Sequence, residues 1–289
     1  MSLLWQMDLD VQAASGLVKL DDTLYVISDD ELSLAILSFS KKKLINFLPL
    51  VSGQLPIDHK ERKKLKPDWE SLVYIPETES CEGLLTLPSG SKPNRNLGSF
   101  IAMKDQQLRK PQNVDTTLLF EKLQLEFAEL NIEGAAIQAG ALKILQRGNG
   151  QLGQNAVIDL DLKGVLDDIQ QNRPLQPQRI KNITAVDLGL LQQHRLGFTD
   201  ACVTATGQLY YLAVSEATNS TYDDGQFLGA VLGQLSPEGK ITWQIQLDCP
   251  YKPEGLWIEQ LGKNYQVFVV TDADNPEQIS SLYSGEIPG

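Results

Sequence analysis

Apolar and polar positions along the chain alternate in short runs bounded by Gly, Asp, Asn and Pro, and this period of two predicts β-strands. Thr23 to Ser28, Leu32 to Phe39 and Lys43 to Leu50 follow one another with turns between them. Gln208 to Ser215, Gln226 to Leu235 and Lys240 to Leu247 repeat that arrangement, and Tyr265 to Thr271 and Ser281 to Ile287 end the chain. Helical patterns are few: Leu166 to Asn172 predicts two turns. Leu119 to Leu130 has a mixed period and is assigned to strand, because it occupies an outer-strand position.

The strands belong to a repeat. Leu4-Trp5-Gln6-Met7-Asp8-Leu9-Asp10 matches Thr242-Trp243-Gln244-Ile245-Gln246-Leu247-Asp248 at the other end of the chain. Each copy is followed by a glycine and an apolar run, Ser15-Gly16-Leu17-Val18 in one and Glu254-Gly255-Leu256-Trp257-Ile258 in the other. The same template recovers Glu70-Ser71-Leu72-Val73-Tyr74, Glu133-Gly134-Ala135-Ala136-Ile137 and Asp200-Ala201-Cys202-Val203-Thr204. From Ser15 through Glu70, Glu133 and Asp200 to Glu254 the intervals are 55, 63, 67 and 54 residues, the length of a four-stranded antiparallel blade with variable loops.

The expected fold is therefore an all-β propeller of about five four-stranded blades, with residues 1–289 as one domain. Six blades follow if the span from Arg147 to Leu196 hides an extra sheet. The fifth unit is one strand short, and the Trp5 strand has no place in the first. Together they predict that the N-terminal strand closes the ring, which removes two open sheet edges.

In such a ring the first strand of each blade lines the axis, so Ser15, Glu70, Glu133, Asp200 and Glu254 are expected to meet in the central channel. Carboxylates gathered in a partly dehydrated channel raise one another's pKa unless a cation, water or donors compensate, and hard oxygen ligands suit Ca²⁺ or Mg²⁺. Glu70, Glu133, Asp200 and Glu254 are the candidate metal ligands, and Glu133 and Glu254 the candidate catalytic carboxylates. The alternative is that these acids hold ordered water or cap neighbouring blade backbones.

The ends of the second strands reach the channel mouth and are polar: Ser28-Asp29-Asp30, Ser89-Gly90-Ser91, Arg147-Gly148-Asn149, Ser215-Glu216 and Thr271-Asp272-Ala273-Asp274. Arg95, Arg147, Glu216 and Asp272 are the candidate substrate-binding residues. Either arginine could grip a phosphate or carboxylate, or pair with the acids. The loops Lys92 to Asn96 and Thr218 to Gly225 could shape a binding face.

Composition narrows the partners. The 289 residues are 42% apolar, with four Trp, eight Tyr and eight Phe, enough for a sizeable core. Thirty-seven acidic against 25 basic residues give a net charge of −12, which opposes nucleic acid. The one basic cluster, Lys60, Arg62, Lys63, Lys64 and Lys66, lies near Pro56 and Pro67 and reads as a solvated loop. Cys81, Cys202 and Cys249 are an odd number without CxxC spacing. Met1 to Asp10 lacks a basic segment followed by a long apolar run, and no apolar run is long enough to span a bilayer. A cytoplasmic monomer with a small-molecule ligand in its channel, and without nucleic-acid or membrane partners, is the expectation.

Other motifs carry little. Gly148-Asn149-Gly150-Gln151-Leu152-Gly153 fits GxGxxG, but Asn155 to Lys163 reads as strand where a dinucleotide site needs a helix. Asp272-Ala273-Asp274-Asn275 begins like a calcium loop and lacks its Gly and terminal Glu, so it reads as a turn that could add a ligand. His59 and His194 form no HxxxH pattern, and there is no GxSxG elbow. Asn182-Ile183-Thr184 and Asn219-Ser220-Thr221 match glycosylation acceptors but carry no weight without a secretory signal.

The blade openings Trp69-Glu70-Ser71-Leu72, Ile132-Glu133-Gly134-Ala135, Phe198-Thr199-Asp200-Ala201 and Pro253-Glu254-Gly255-Leu256 resemble those of bacterial propellers related to the phytase-like esterase domain. The resemblance spans nearly the whole chain through its repeats, in motifs of three or four residues. It implies a channel whose acids hold calcium and act on a phosphoester or related small substrate, with Glu70, Glu133, Asp200 and Glu254 as ligands by position. Ser15 departs from the pattern. Two functions follow: a metal-assisted hydrolase of a small phosphoester, lactone or sugar-like compound, or a non-catalytic propeller binding a ligand or protein on its loop face.

Overall fold

The computed structural model describes residues 1–78, 81–148, 150–217, 225–275 and 277–289, with His59 described by its backbone alone. Part of the loop Thr218 to Gly225, the glycosylation pattern at Asn219 and Asn149 of the glycine-rich loop lie outside the described residues.

Strand β1 (Leu4–Asp8) leads into β2 (Ala14–Leu20), β3 (Thr23–Ser28), β4 (Ser33–Ser38) and β5 (Lys43–Pro49). After helix α1 (His59–Leu65) come β6 (Trp69–Ile75), β7 (Gly83–Pro88), β8 (Leu97–Lys104), the two-residue β9 (Gln107–Leu108) and β10 (Gln112–Asp115). Helix α2 (Thr117–Leu123) precedes β11 (Ile132–Gln138), β12 (Ala141–Gln146), β13 (Ala156–Asp161), α3 (Leu162–Gln170) and β14 (Ile180–Ala185). Next follow β15 (Leu190–Leu191), β16 (His194–Val203), β17 (Leu209–Glu216), β18 (Phe227–Leu235) and β19 (Ile241–Leu247). The last unit is β20 (Lys252–Leu261), β21 (Asn264–Asp272) and β22 (Ser281–Pro288).

These strands form five antiparallel sheets, and the inner strands β2, β6, β11, β16 and β20 neighbour one another in a closed cycle. The fold is a five-bladed β-propeller. The span from Arg147 to Leu196 adds no sixth sheet among the described residues: β13 and β14 complete the third blade. Ring closure is as expected, because β1 pairs antiparallel with β22, with Trp5 opposite Tyr283. The N-terminal ammonium also donates to the Gln246 carbonyl at 2.6 Å, so the chain start touches the segment it repeats.

Apolar clusters fill the spaces between neighbouring blades. Val18 and Ile27 meet Trp69, Leu72 and Leu84 across the first such interface, while Met7, Leu9, Leu17 and Phe268 fill the closing one. The second strands β7 and β17 are buried at every position, which explains their nearly unbroken apolar sequence.

Two local expectations are corrected. Leu119 to Leu130 is not a strand: α2 buries Leu119, Phe120 and Leu123 on one helical stripe, and β10 takes the outer position of the second blade. The basic stretch is helix α1, capped where the Asp58 side chain accepts from the Glu61 N–H at 3.0 Å. Helix α3 begins earlier than the predicted Leu166 and buries Leu162, Val165, Leu166 and Ile169. No helix of the described residues is long and apolar enough to cross a membrane.

The feature that builds the channel is a repeated β-bulge. Each inner strand slips register by one residue against its second strand, between Ala14 and Gly16, Trp69 and Ser71, Ile132 and Gly134, Phe198 and Asp200, and Pro253 and Gly255. An extra residue at such a point leaves the ladder and re-aims its side chain. The five residues are Ser15, Glu70, Glu133, Thr199 and Glu254. The residue after the bulge meets the next inner strand so closely that a Cβ on Gly134 would approach the Asp200 Cα to 2.7 Å.

Candidate functional site

The structure brings Glu70, Glu133 and Glu254 to one cavity on the axis, together with Arg95, Arg147 and Asp272. Asp200 does not join them. The register at blade four is one residue earlier than the sequence template set it, so Thr199 takes the equivalent place. The Asp200 carboxyl instead accepts backbone N–H bonds from Ala201 at 2.8 Å and Leu256 at 2.7 Å, with a further one from Ala135. Burial pushes its pKa well above the usual range, and these bonds work against that rise. Asp200 therefore staples three blades rather than facing the cavity. The two hydroxyl bulges do related work: Ser15 Oγ donates to the Trp69 carbonyl at 2.5 Å and Thr199 Oγ1 to the Pro253 carbonyl at 2.8 Å.

Residues two positions before each bulge share its strand face, and three of them are polar: Asp68, Asn131 and Lys252. Asn131 Nδ2 donates to Glu133 at 2.6 Å, and Lys252 Nζ lies 2.7 Å from Glu254. Arg147, at the end of β12, reaches Glu133 at 3.2 Å and Glu216 at 2.6 Å, and Lys252 reaches Glu216 at 3.1 Å. Glu216 thus holds two of the channel's cations and does not itself line the channel.

On the opposite side, Lys66 at the end of α1 pairs with Asp29, with Asp30 at 3.2 Å and with Asp68 at 3.3 Å. Arg95 binds Asp68 at 2.7 Å, and Ser89 donates to the same carboxylate. Arg95 and Arg147 are therefore ion-pair partners of the channel acids. Asp68 has φ of +60°, a conformation that costs a non-glycine residue energy and holds its carboxylate inward.

Lys66, Lys252, Asp68 and Asn131 were not among the residues the sequence pointed to. A period-two reading back from each bulge finds the last three. Lys66 carried no such signal, since its burial depends on Asp29 and Asp30 in another blade.

The channel is not an acidic cage. Seven carboxylates and five cations line it. Among the described residues Glu70 alone of the three channel glutamates has no hydrogen bond or ion pair to its side chain. Burial raises its pKa well above the ordinary glutamate value, and Glu133, Asp68 and Asp29 raise it further against the opposing effect of Lys66. Burial likewise lifts Asp29 to about 7 and Glu254 to about 8, with Lys66 and Lys252 respectively opposing the shift. For Lys66 and Lys252 burial disfavours the charge, but the surrounding carboxylates outweigh it and raise both pKa values.

Oxygens of Asp29, Asp68 and Glu70 all lie within 4.8 Å of one another, and Asp29 Oδ1 is buried without a hydrogen-bond partner. Oxygens on opposite sides of a Ca²⁺ ion are about 5 Å apart, given ligand distances of about 2.3–2.6 Å. The donor set and its spacing fit a hard divalent cation. About 70 Å³ of the cavity is open to the centres of water molecules, room for an ion with a few waters or a small group.

The glycine-rich loop 148–153 has a local purpose. Its Gln151 and Leu152 N–H groups donate to the Glu129 carboxylate at 3.2 and 3.1 Å, and a Cβ on Gly150 would collide with that carboxylate. The anion in the loop is the protein's own.

Fold and site together define a five-bladed propeller with an axial channel of interleaved acids and bases. The chain belongs to a family of unknown function, DUF6929, whose model matches residues 10–287. No curated protein matches it. Among solved structures, the chain is similar to Myxococcus xanthus glutaminyl cyclase at 11% identity and a TM-score of 0.52, covering 100% of this chain and 97% of that one. It is also similar to the PQQ-bound aldose sugar dehydrogenase of Streptomyces coelicolor, at 11% identity, a TM-score of 0.51 and coverage of 99% and 98%. A third, the calcium-binding protein regucalcin of Agrobacterium tumefaciens, has 10% identity, a TM-score of 0.49 and coverage of 100% and 96%. At 11% identity the first two show the propeller fold alone.

Proposed function

We propose that this protein is a metal-assisted hydrolase whose channel binds a divalent cation, Ca²⁺ best, at Asp29, Asp68 and Glu70. The observation that carries the reading is the Glu70 carboxyl, which lies beside two other acids and has, among the described residues, no hydrogen bond or ion pair of its own. Glu133 and Glu254 lie against Arg147 and Lys252 and are not part of that cluster of three. The bound ion would polarise a substrate oxygen and a nearby water.

Charge decides among substrates. Seven carboxyl groups against five cations line the channel, and four of those cations, Lys66, Arg95, Arg147 and Lys252, lie against its own acids, so nothing there draws in a phosphoester and the neutral ester bond of a lactone or sugar-like compound is favoured. In that hydrolysis the water oxygen adds to the acyl carbon, the ester C–O bond breaks, an acid gives a proton to the leaving oxygen, and the proton released by the water returns to that acid. Glu254, with its pKa held at about 8, keeps a proton at neutral pH and is the group to supply it.

Calcium titration followed by thermal melting tests the metal site. Ca²⁺ should raise the melting temperature of the parent protein and leave Glu70→Gln unmoved; a parent that does not respond to Ca²⁺ refutes the reading. A lactone screen tests the chemistry, since turnover lost in Glu254→Gln excludes a purely binding role.

A further inference from the structure

Beside the channel lies a second cavity; Arg147 lines both, and Glu216, its ion-pair partner, lines the second. Its other walls are the glycine-rich loop, through Gly148, Gly150 and Gln151, and the start of β16, through His194, Arg195 and Gly197. About 230 Å³ is open there to the centres of water molecules, far more than in the channel.

The charge balance is opposite to that of the channel. Two guanidinium groups face one carboxylate, with His194 left aside. Arg147 is held by Glu133 and Glu216, whereas Arg195 has no ion pair or hydrogen bond to its side chain among the described residues. Each arginine lies against a glycine. A Cβ on Gly197 would meet the Arg147 side chain at 3.0 Å, and one on Gly153, whose φ is +61°, would meet the Arg195 Cδ at 2.7 Å. The Gly153 contact lays the long Arg195 side chain across the loop and limits where its head group can go. The loop N–H groups of Gln151 and Leu152 are occupied by Glu129, so the cation available to an anion in this cavity is the Arg195 guanidinium.

We propose that this side cavity is an anion subsite of the same site, in which Arg195 grips the phosphate group of a phosphorylated sugar or lactone. The inference rests on the channel reading and names its substrate class: the neutral reacting bond enters the acidic channel while the phosphate stays outside it. That arrangement reconciles a phosphorylated compound with a channel whose cations Lys66, Arg95, Arg147 and Lys252 are already held by its own acids. A planar guanidinium offers two parallel N–H donors to a phosphate, and a lysine at the same place offers a point charge.

The test uses inorganic phosphate as the probe, with calorimetry on the full chain in EDTA, so that no metal contributes. Phosphate should bind the parent, bind Arg195→Ala at least 10-fold more weakly, and bind Arg195→Lys with an intermediate loss of about 3-fold. The Ca²⁺ response should be the same in the parent and in Arg195→Ala. If phosphate does not bind the parent, or binds Arg195→Ala equally well, the subsite is refuted. Failure of the channel reading is distinguishable, because it removes the Ca²⁺ response and leaves phosphate binding intact.

Discussion

Replacing Glu254 by Gln should change the pH dependence of stability more than its value near neutrality. Burial raises the Glu254 pKa from 4.5 to about 8, Lys252 and Arg147 oppose that rise, and Glu133 adds to it. In the folded protein at pH 6 the carboxyl therefore carries its proton, while in the unfolded chain it is ionised. A group whose folded pKa is raised contributes stability that is complete below its unfolded pKa and is lost as pH rises through the folded one. For Glu254 the window runs from about 4.5 to about 8, and Gln, which cannot ionise, has no such window.

Between pH 6 and pH 9 the parent crosses the upper two units of that window, which at 1.36 kcal/mol per unit removes about 3 kcal/mol. At about 2.1 cal/mol/K of unfolding entropy per residue, a chain of 289 residues converts this to about 5 °C. Melting curves of parent and Glu254→Gln in EDTA, taken at pH 6, 7, 8 and 9, should show the difference moving by that amount in favour of the variant. A difference that stays constant across the series, or that moves in favour of the parent, would falsify the assignment of Glu254 as a buried, proton-retaining acid.

Two further perturbations address the scaffold. Asp200→Ala strips the acceptor from the N–H groups of Ala201, Leu256 and Ala135, and urea denaturation should show a loss of about 3 kcal/mol; a change below 1 kcal/mol would remove its role as a staple. Deleting residues 1–9 removes the fourth strand of the last blade with the buried Met7 and Leu9 side chains, and should lower stability by at least about 4 kcal/mol. An unchanged thermal midpoint would show that the ring does not need its N-terminal closure.

Much of the ring was legible because its signals are local or repeated. The Trp5 and Trp243 segments read as copies, and the missing strand of the fifth unit turned that likeness into a closure. The residues at the blade openings were found for the same reason, yet at blade four the template chose Asp200 over Thr199. A carboxylate matches a carboxylate, and a one-residue error in a strand turns the side chain to the other face. The opposing cations were harder to read. Lys66 follows a basic helix and precedes Pro67, a context that describes an exposed loop; only the fold brings it to Asp29, 37 residues away in another blade. Burial of a charge is a long-range property, and no local period reports it.

The position two residues before each bulge grades the three channel glutamates. At blade five it is Lys252, whose ammonium lies 2.7 Å from Glu254 and works against the rise of its pKa. At blade three it is Asn131, a neutral donor 2.6 Å from Glu133, with Arg147 adding the charge. At blade two it is Asp68, which raises the pKa of Glu70 instead of lowering it, and whose own cations are Arg95 and Lys66. One strand face thus sets three different environments with the same backbone. Had all three positions carried lysine or asparagine, the channel would be a closed set of ion pairs with no group left to hold a ligand. Because blade two places an acid there, negative charge accumulates at Asp29, Asp68 and Glu70, and a cation entering the channel finds its binding energy at that point.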